Sequence, residues 1–292
     1  MPPRVTVIIA TYNWSSVLPY SIGSVLRQTF PDFELLVVGD GCTDDSEEVV
    51  ARIDDPRIRW INLPQNTRHQ SGPNNEGLRQ ARGELIAYLG HDDLWLPHHL
   101  RVMIDALDAA HSDMAHSLAA CIAPGGELIW PAKPNSQQGS WGPPSCIVHR
   151  RAVTEAVGGW RDYRELTVVP EVDIWRRARD AGFQFTFVPR LTVIKFPAAM
   201  RRGAYRTRSC REQAQWSARI ASEPDLEPTQ LARMLIDDRV SWQEPYWNLV
   251  RRFVATTMLR MRRRVASRSL FVRLLPHRKG MDIDAVRRFK GL

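Results

Sequence analysis

Cysteine is scarce in this chain and badly placed for cross-linking. The four thiols in 292 residues, Cys42, Cys121, Cys146 and Cys210, are scattered without paired or metal-type spacing. That pattern argues against a disulfide framework and against a zinc site, and it suits a reducing cytosol. Long apolar runs are missing too, since none approaches the roughly 18 to 20 residues that span a bilayer. The opening Met1-Pro2-Pro3-Arg4 leads at once into Val5-Thr6-Val7-Ile8-Ile9-Ala10, which leaves no room for the separate regions of a signal peptide. No internal repeat is present, and no Gly-rich basic loop follows the first apolar run, where Ala10-Thr11-Tyr12-Asn13-Trp14 stands instead.

What the chain does contain is enough apolar matter for a sizeable core: 43% of residues are hydrophobic and 25% charged, a globular and soluble composition. The formal charge of +8 is unevenly spread. From Asn248 to Leu292 there are 13 Lys and Arg against 2 Asp, so this segment carries +11 and the remainder −3. A mildly acidic body with a basic tail points to a tail that meets phosphates of lipid or nucleic acid.

The first third alternates strand-like and helix-like segments, as successive β-α units of a parallel sheet do. Strands are expected at Val5 to Ala10, Phe33 to Val38, Ile58 to Leu63 and Leu85 to Leu89. Helical spacing links Val17, Leu18, Ile22, Val25 and Leu26 after the capping-type run Asn13-Trp14-Ser15-Ser16. Further helices are expected from Asp44-Asp45-Ser46 onward, over Gly72 to Arg82 and over Pro97 to Ala110. Cys121 to Pro144 is rich in Pro, Gly, Ser and Gln, which marks loops around a short strand near Leu128 to Trp130. Helical pattern returns over Arg150 to Val157 and Glu171 to Ala181, and beyond about Pro197 the chain reads as helical and basic.

Asp92 and Asp93 follow the apolar run Leu85-Ile86-Ala87-Tyr88-Leu89 and precede Trp95-Leu96-Pro97. Two carboxylates therefore sit where a buried strand surfaces, and ligands of open parallel sheets collect outside the carboxyl ends of the strands. Hard oxygen ligands there suit Mn²⁺ or Mg²⁺ carrying a nucleotide diphosphate. An Asp-Asp pair in a turn also serves as a solvated loop or helix cap.

Three segments in order resemble the family 2 glycosyltransferases of the GT-A fold. They are Val5 to Asn13, Val25 to Phe30 continued by Phe33 to Gly41, and Arg82 to Asp93. The resemblance implies an α/β GT-A fold, a mixed, mostly parallel Rossmann-like sheet with flanking helices, to which the residues beyond Pro197 add a helical basic C-terminal extension. It places a catalytic domain over 1–200, with a nucleotide-binding half over 1–110 and an acceptor-binding half over 111–200, and the extension over 201–292.

The activity implied is inverting transfer of a sugar from a nucleoside diphosphate sugar, UDP ahead of dTDP or GDP, to a glycan, lipid-linked or other hydroxyl. By resemblance Thr11 and Tyr12 face the nucleotide, Tyr12 offering a stacking face, and Asp40 reads the base. Gly39 stands where relatives carry a further aspartate, so a looser pocket is expected beside it. Arg68 is open between base, phosphate and solvent. Gly90-His91-Asp92-Asp93 lacks the first acid of the family's Asp-x-Asp-Asp; Asp93 is assigned to the metal, Asp92 to the ribose or a second metal contact, and His91 to packing. Glu171, in Pro170-Glu171-Val172-Asp173-Ile174-Trp175, falls where relatives place the catalytic base. Asp173 is its rival, or else a first-turn acid that suits the helix dipole. Leu191-Thr192-Val193-Ile194-Lys195 lacks the histidine that joins the metal in many relatives, and Lys195 either touches the diphosphate or is a surface residue.

Trp141, Trp160 and Trp175 are candidates for stacking on sugar rings. The segment Trp247 to Leu275 mixes apolar residues with arginines, and fits either an anionic membrane surface or packing on the protein itself. No nucleic-acid recognition motif accompanies the charge. A cytoplasmic location, peripheral on the inner face of the membrane, is the expectation. The rival readings are a silent nucleotide- or glycan-binding relative, and a sugar nucleotidyltransferase, which the missing phosphate loop disfavours.

Overall fold

The computed structural model describes residues 2–124, 128–129, 142–198, 201 and 204–243. The basic segment from Trp247 onward and Trp141 lie outside the described residues.

The first half is a run of β-α units. In chain order these are β1 (Val5–Thr11), α1 (Leu18–Leu26), β2 (Phe33–Gly39), α2 (Ser46–Ala51), β3 (Ile58–Asn62), α3 (Ser71–Gln80) and β4 (Leu85–Tyr88). The four strands pair in parallel in the order β3-β2-β1-β4. Short β5 (Leu94–Trp95) and α4 (His99–Ala110) follow. Next come β6 (Met114–Ile122), β7 (Leu128–Ile129), β8 (Ile147–Arg150), α5 (Arg151–Val157), α6 (Pro170–Asp180) and β9 (Phe185–Lys195). They extend the sheet as β4-β8-β6-β9-β5, with β8 antiparallel to both neighbours. The chain continues through α7 (Ala204–Thr207), α8 (Arg211–Ser222) and α9 (Leu226–Gln243). This is the mixed sheet with flanking helices that the sequence suggested.

Strand periodicity explains the layering. Side chains alternate across a strand, so Val5, Val7 and Ile9 of β1 enter one buried layer with Leu18 and Ile22 of α1 and Leu100 and Met103 of α4. Ile8 enters the opposite layer with Leu36, Ile86, Val153 and Trp175. Both faces of β1, β2 and β4 are covered, and their near-continuous apolar sequence follows from that. Each such side chain contributes about 1.5 to 3 kcal/mol when fully buried. A third cluster joins Leu191 and Ile194 of β9 to Trp216 and Ile220 of α8, so part of the region after Pro197 packs on the sheet.

The start of α1 departs from expectation. No side-chain cap closes it; Asn13 instead turns its amide to Thr43 and accepts from the Thr43 N–H at 2.7 Å. That bond ties the loop after β1 to the loop after β2, side by side at the sheet's carboxyl edge.

Candidate functional site

β1, β2 and β4 all end at one edge of the sheet, because parallel strands deliver their carboxyl ends together. Tyr12, Asp40 and the Asp92-Asp93 pair follow those ends and line a cavity of about 550 Å³. The loop before α3 supplies Asn66, Arg68 and Gln70, the first turn of α6 supplies Glu171, and the end of β9 supplies Lys195. Thr11 also lines it, though it is almost fully buried. Residues up to 184 positions apart in sequence, Thr11 and Lys195, are thus brought to one cleft.

Asp93 sits at the bottom with no exposed surface. Its Oδ2 accepts from Ser145 Oγ at 2.6 Å and from Lys195 Nζ at 2.9 Å, and its Oδ1 accepts from the Phe196 N–H at 3.2 Å. The Gly90 N–H donates to Ser145 Oγ at 3.1 Å and so holds the serine in place. With Asp93 held in this position, a Cβ at Gly90 would lie 2.8 Å from Asp93 Oδ2, so a side chain there would have to displace the carboxylate. Lys195 keeps 27% of its side chain exposed towards the cleft. Burial pulls its pKa down, but Asp93 and Asp92 push it up by more, so the ammonium is held above its ordinary range.

This donor set does not fit a divalent cation. A divalent ion on a diphosphate needs one or two carboxylates free to ligate it, with water and phosphate oxygens completing the shell, yet both oxygens of Asp93 already accept, one of them from an ammonium. Among the described residues no group of three His, Cys, Asp or Glu converges to hold a metal. His91, between the strand and the acids, donates from Nδ1 to Ala10 O at 3.2 Å and packs on Trp14 with ring centroids 4.9 Å apart, while also lining the cavity.

On the nucleotide side, Asp40 Oδ1 accepts from the Thr67 N–H at 2.8 Å and from Thr67 Oγ1 at 2.7 Å, while Oδ2 accepts from the Arg68 N–H at 3.1 Å. Asp40 therefore fastens the 66–68 loop beside the cavity, a task the sequence reading did not foresee. Tyr12 is half-buried at the cavity wall, and Arg68 is exposed there in a left-handed conformation with φ 69°. The looser pocket expected beside Gly39 is absent. Trp60 and Asn62 of neighbouring β3 fill that space, and a Cβ on Gly39 would meet Asn62 Oδ1 at 2.6 Å and the Trp60 ring at 2.9 Å.

The two candidate bases separate. Glu171 faces the cavity, and its Oε2 accepts from Gln70 Nε2 at 3.2 Å. Asp173 does not line the cavity. It accepts from Arg177 Nε at 2.8 Å, and Arg177 in turn donates to the carbonyls of Val157 and Gly159, clamping α6 to the end of α5. Its expected catalytic role gives way to this packing role, since it points away from the cleft and is spent on an arginine. Trp160 and Trp175 are likewise corrected as sugar platforms: they are 2% and 1% exposed and pack with Tyr88 beneath the site. The Tyr88 hydroxyl accepts from Trp160 Nε1 at 3.1 Å, and burial pushes its pKa up.

Sequence reasoning missed Ser145 and Gln70. Ser145 sits in a Pro-Pro-Ser turn with no local pattern of a ligand, and Gln70 precedes the first residue of α3 without making a side-chain cap there.

The sequence profile described as glycosyl transferase family 2 matches residues 6–207. The GalNAc(5)-diNAcBac-PP-undecaprenol beta-1,3-glucosyltransferase of Campylobacter jejuni is 35% identical over 125 residues, 41% of this chain and 38% of that protein. The succinoglycan biosynthesis protein ExoO of Rhizobium meliloti is 41% identical over 113 residues, 39% of this chain and 32% of that protein. These matches span about a third of the length of the curated relatives. The crystal structure of Staphylococcus aureus TarS 1-349 in complex with UDP-GlcNAc superposes with a TM-score of 0.60 at 21% identity, covering 80% of this chain and 71% of that one. A mannosyltransferase of Pyrobaculum calidifontis, in complex with GDP-Man and Mn²⁺, gives a TM-score of 0.53 at 19% identity over 80% of this chain and 70% of that one. Profile, fold and the carboxylates at the sheet's edge agree: the chain belongs to glycosyl transferase family 2.

Proposed function

We propose that the cleft binds a nucleoside diphosphate sugar, UDP ahead of dTDP or GDP, and transfers the sugar with inversion to a hydroxyl of a glycan or lipid-linked acceptor. The observation that carries this reading is that Tyr12, Asp40 and Asp92 from the sheet's edge and Glu171 from α6 line one cavity. The glucosyltransferase of C. jejuni, named for an undecaprenol-linked substrate, and the UDP-GlcNAc complex of TarS support the acceptor and donor classes.

The chemistry assigned to the chain's own residues is direct displacement. An acceptor oxygen forms a bond to the anomeric carbon as the bond from that carbon to the diphosphate oxygen breaks, and the electron pair leaves with the diphosphate. Glu171 takes the acceptor's proton, and Gln70 orients its carboxylate. Tyr12 supplies an apolar face for the base, Asp40 holds the loop that presents Arg68, and Asp92 stands towards the ribose. In the form suggested by sequence, Mn²⁺ or Mg²⁺ is held by Asp93 and Asp92; that form requires Lys195 to leave Asp93. A peripheral place at the inner face of the membrane, with the basic segment on anionic lipid, completes the proposal. No described helix is long and apolar enough to cross a membrane.

A thermal-shift panel of UDP, dTDP, GDP, CDP and ADP tests the donor class. Ligand at 100 times its dissociation constant stabilises the fold by about 2.7 kcal/mol, so one nucleotide should raise Tm clearly above the rest. If none moves it, the nucleotide reading is wrong.

A further inference from the structure

We infer that Lys195 is the built-in cation of the donor site, and that its ammonium, fixed by Asp93 at the edge of the cavity, takes the charge of the departing diphosphate without a divalent metal. The inference rests on the nucleoside diphosphate reading above and specifies how that site handles charge.

Displacement at the anomeric carbon leaves the bonding electron pair on a diphosphate oxygen. That developing charge is the main electrostatic demand of the reaction, and lysine, arginine or a metal ion each meet such a demand in a cleft. The position is already taken by a positive group here. Nζ of Lys195 lies 2.9 Å from Asp93 Oδ2, the carboxylate on which a metal would have to sit. A divalent ion on the same oxygen would stand within a few Å of the ammonium and be repelled by it.

Three further observations agree. Ser145 Oγ donates to the same Oδ2 at 2.6 Å, and the Phe196 N–H donates to Oδ1 at 3.2 Å, so the carboxylate is clamped in the orientation that serves lysine. Gly90 removes the additional carboxylate that a metal site would use, and the room it leaves is occupied by Asp93 Oδ2, 2.8 Å from where a Cβ would be. Lys195 itself lines the cavity and is 27% exposed, while Asp93 behind it is wholly buried. An ammonium carries three donors; the bond to Asp93 fixes the group, and its cavity-facing side is available to phosphate oxygens. Asp93 is thus a positioning residue, and Lys195 touches the leaving group.

The test is calorimetric titration of UDP into the full-length chain, first stripped with EDTA and then with excess Mn²⁺, with dTDP and GDP run in parallel. The expected result is binding that survives EDTA, with affinity changed by less than about threefold on adding Mn²⁺. Lys195→Arg should keep binding, whereas Lys195→Met, checked for folding by circular dichroism, should weaken it by about tenfold or more. Binding of UDP only in Mn²⁺ overturns the inference and leaves the nucleotide reading standing; the wild-type arms decide this whether or not the methionine variant folds. No binding of any of the three nucleotides in either condition overturns both.

Discussion

Removing the Lys195 amine should damage the fold as well as the chemistry, and its size can be worked from the geometry. Asp93 has no exposed surface, and its ion pair with Lys195 is 2.9 Å long. Breaking a buried pair by deleting one partner costs about 3 to 5 kcal/mol, because the surviving charge stays buried without compensation. Asp93 keeps two donors, Ser145 Oγ and the Phe196 N–H, and Lys195 is partly solvated, so the lower end applies. Lys195→Met should therefore lose about 3 kcal/mol. For a domain of this size each kcal/mol moves Tm by about 2 to 4 °C, giving a fall of about 6 to 12 °C. Adding Asp93→Asn removes the stranded charge. The double variant should recover more than half of the loss, since contacting residues are coupled rather than additive. Urea denaturation of the wild type, both single variants and the double variant supplies the cycle. Additive losses in the double variant would refute the claim that lysine and aspartate stabilise each other.

Two other perturbations follow from burial. His99 and His149 are fully buried, and His116 is nearly so; desolvation lowers their pKa to about 3, about 4 and about 4. The unfolded chain binds protons on these rings near pH 6.5 while the folded chain does not, so stability should fall as pH drops below about 6.5, by on the order of 1 to 2 kcal/mol per ring at pH 5. Imidazole resonances of His99, His116 or His149 that titrate near 6.5 in the folded protein would contradict this. Gly39→Asp, which restores an acid found in relatives, should destabilise by about 1 to 3 kcal/mol through overpacking against Trp60 and Asn62. Unchanged stability with tighter nucleotide binding would show that the space beside Gly39 is open after all.

The sheet's parallel half was legible because its strands are apolar on both faces, and the runs at β1, β2 and β4 announce themselves. Of the other half, the short strand near Leu128 was foreseen, but β6 and β8 were not. β6 reads Met114-Ala115-His116-Ser117-Leu118-Ala119-Ala120-Cys121-Ile122, poor in branched and aromatic residues, and it is a strand because β8 and β9 pair with it on either side. β8 has only four residues, too few for a pattern. At the site, the positions of Asp92, Asp93, Tyr12 and Glu171 were readable as residues that emerge at element ends. Their partners were not. Lys195 lies 102 residues from Asp93 and Gln70 lies 101 from Glu171, contacts that only the folded sheet creates. The same limit explains Gly39, where the missing side chain suggested space and a tryptophan from the adjacent strand takes it.

The central claim is sugar transfer with Glu171 as base, and turnover tests it most directly. Release of nucleoside diphosphate from UDP-, dTDP- and GDP-sugars, with a lipid-linked or glycan acceptor panel, would be measured for the wild type, Glu171→Gln and Asp173→Asn. The account predicts turnover in the wild type, a loss of about 10² to 10⁴ in kcat for Glu171→Gln with little change in KM, and retained chemistry with a lowered Tm for Asp173→Asn. Equal turnover in Glu171→Gln, or activity lost in Asp173→Asn at unchanged stability, would contradict it.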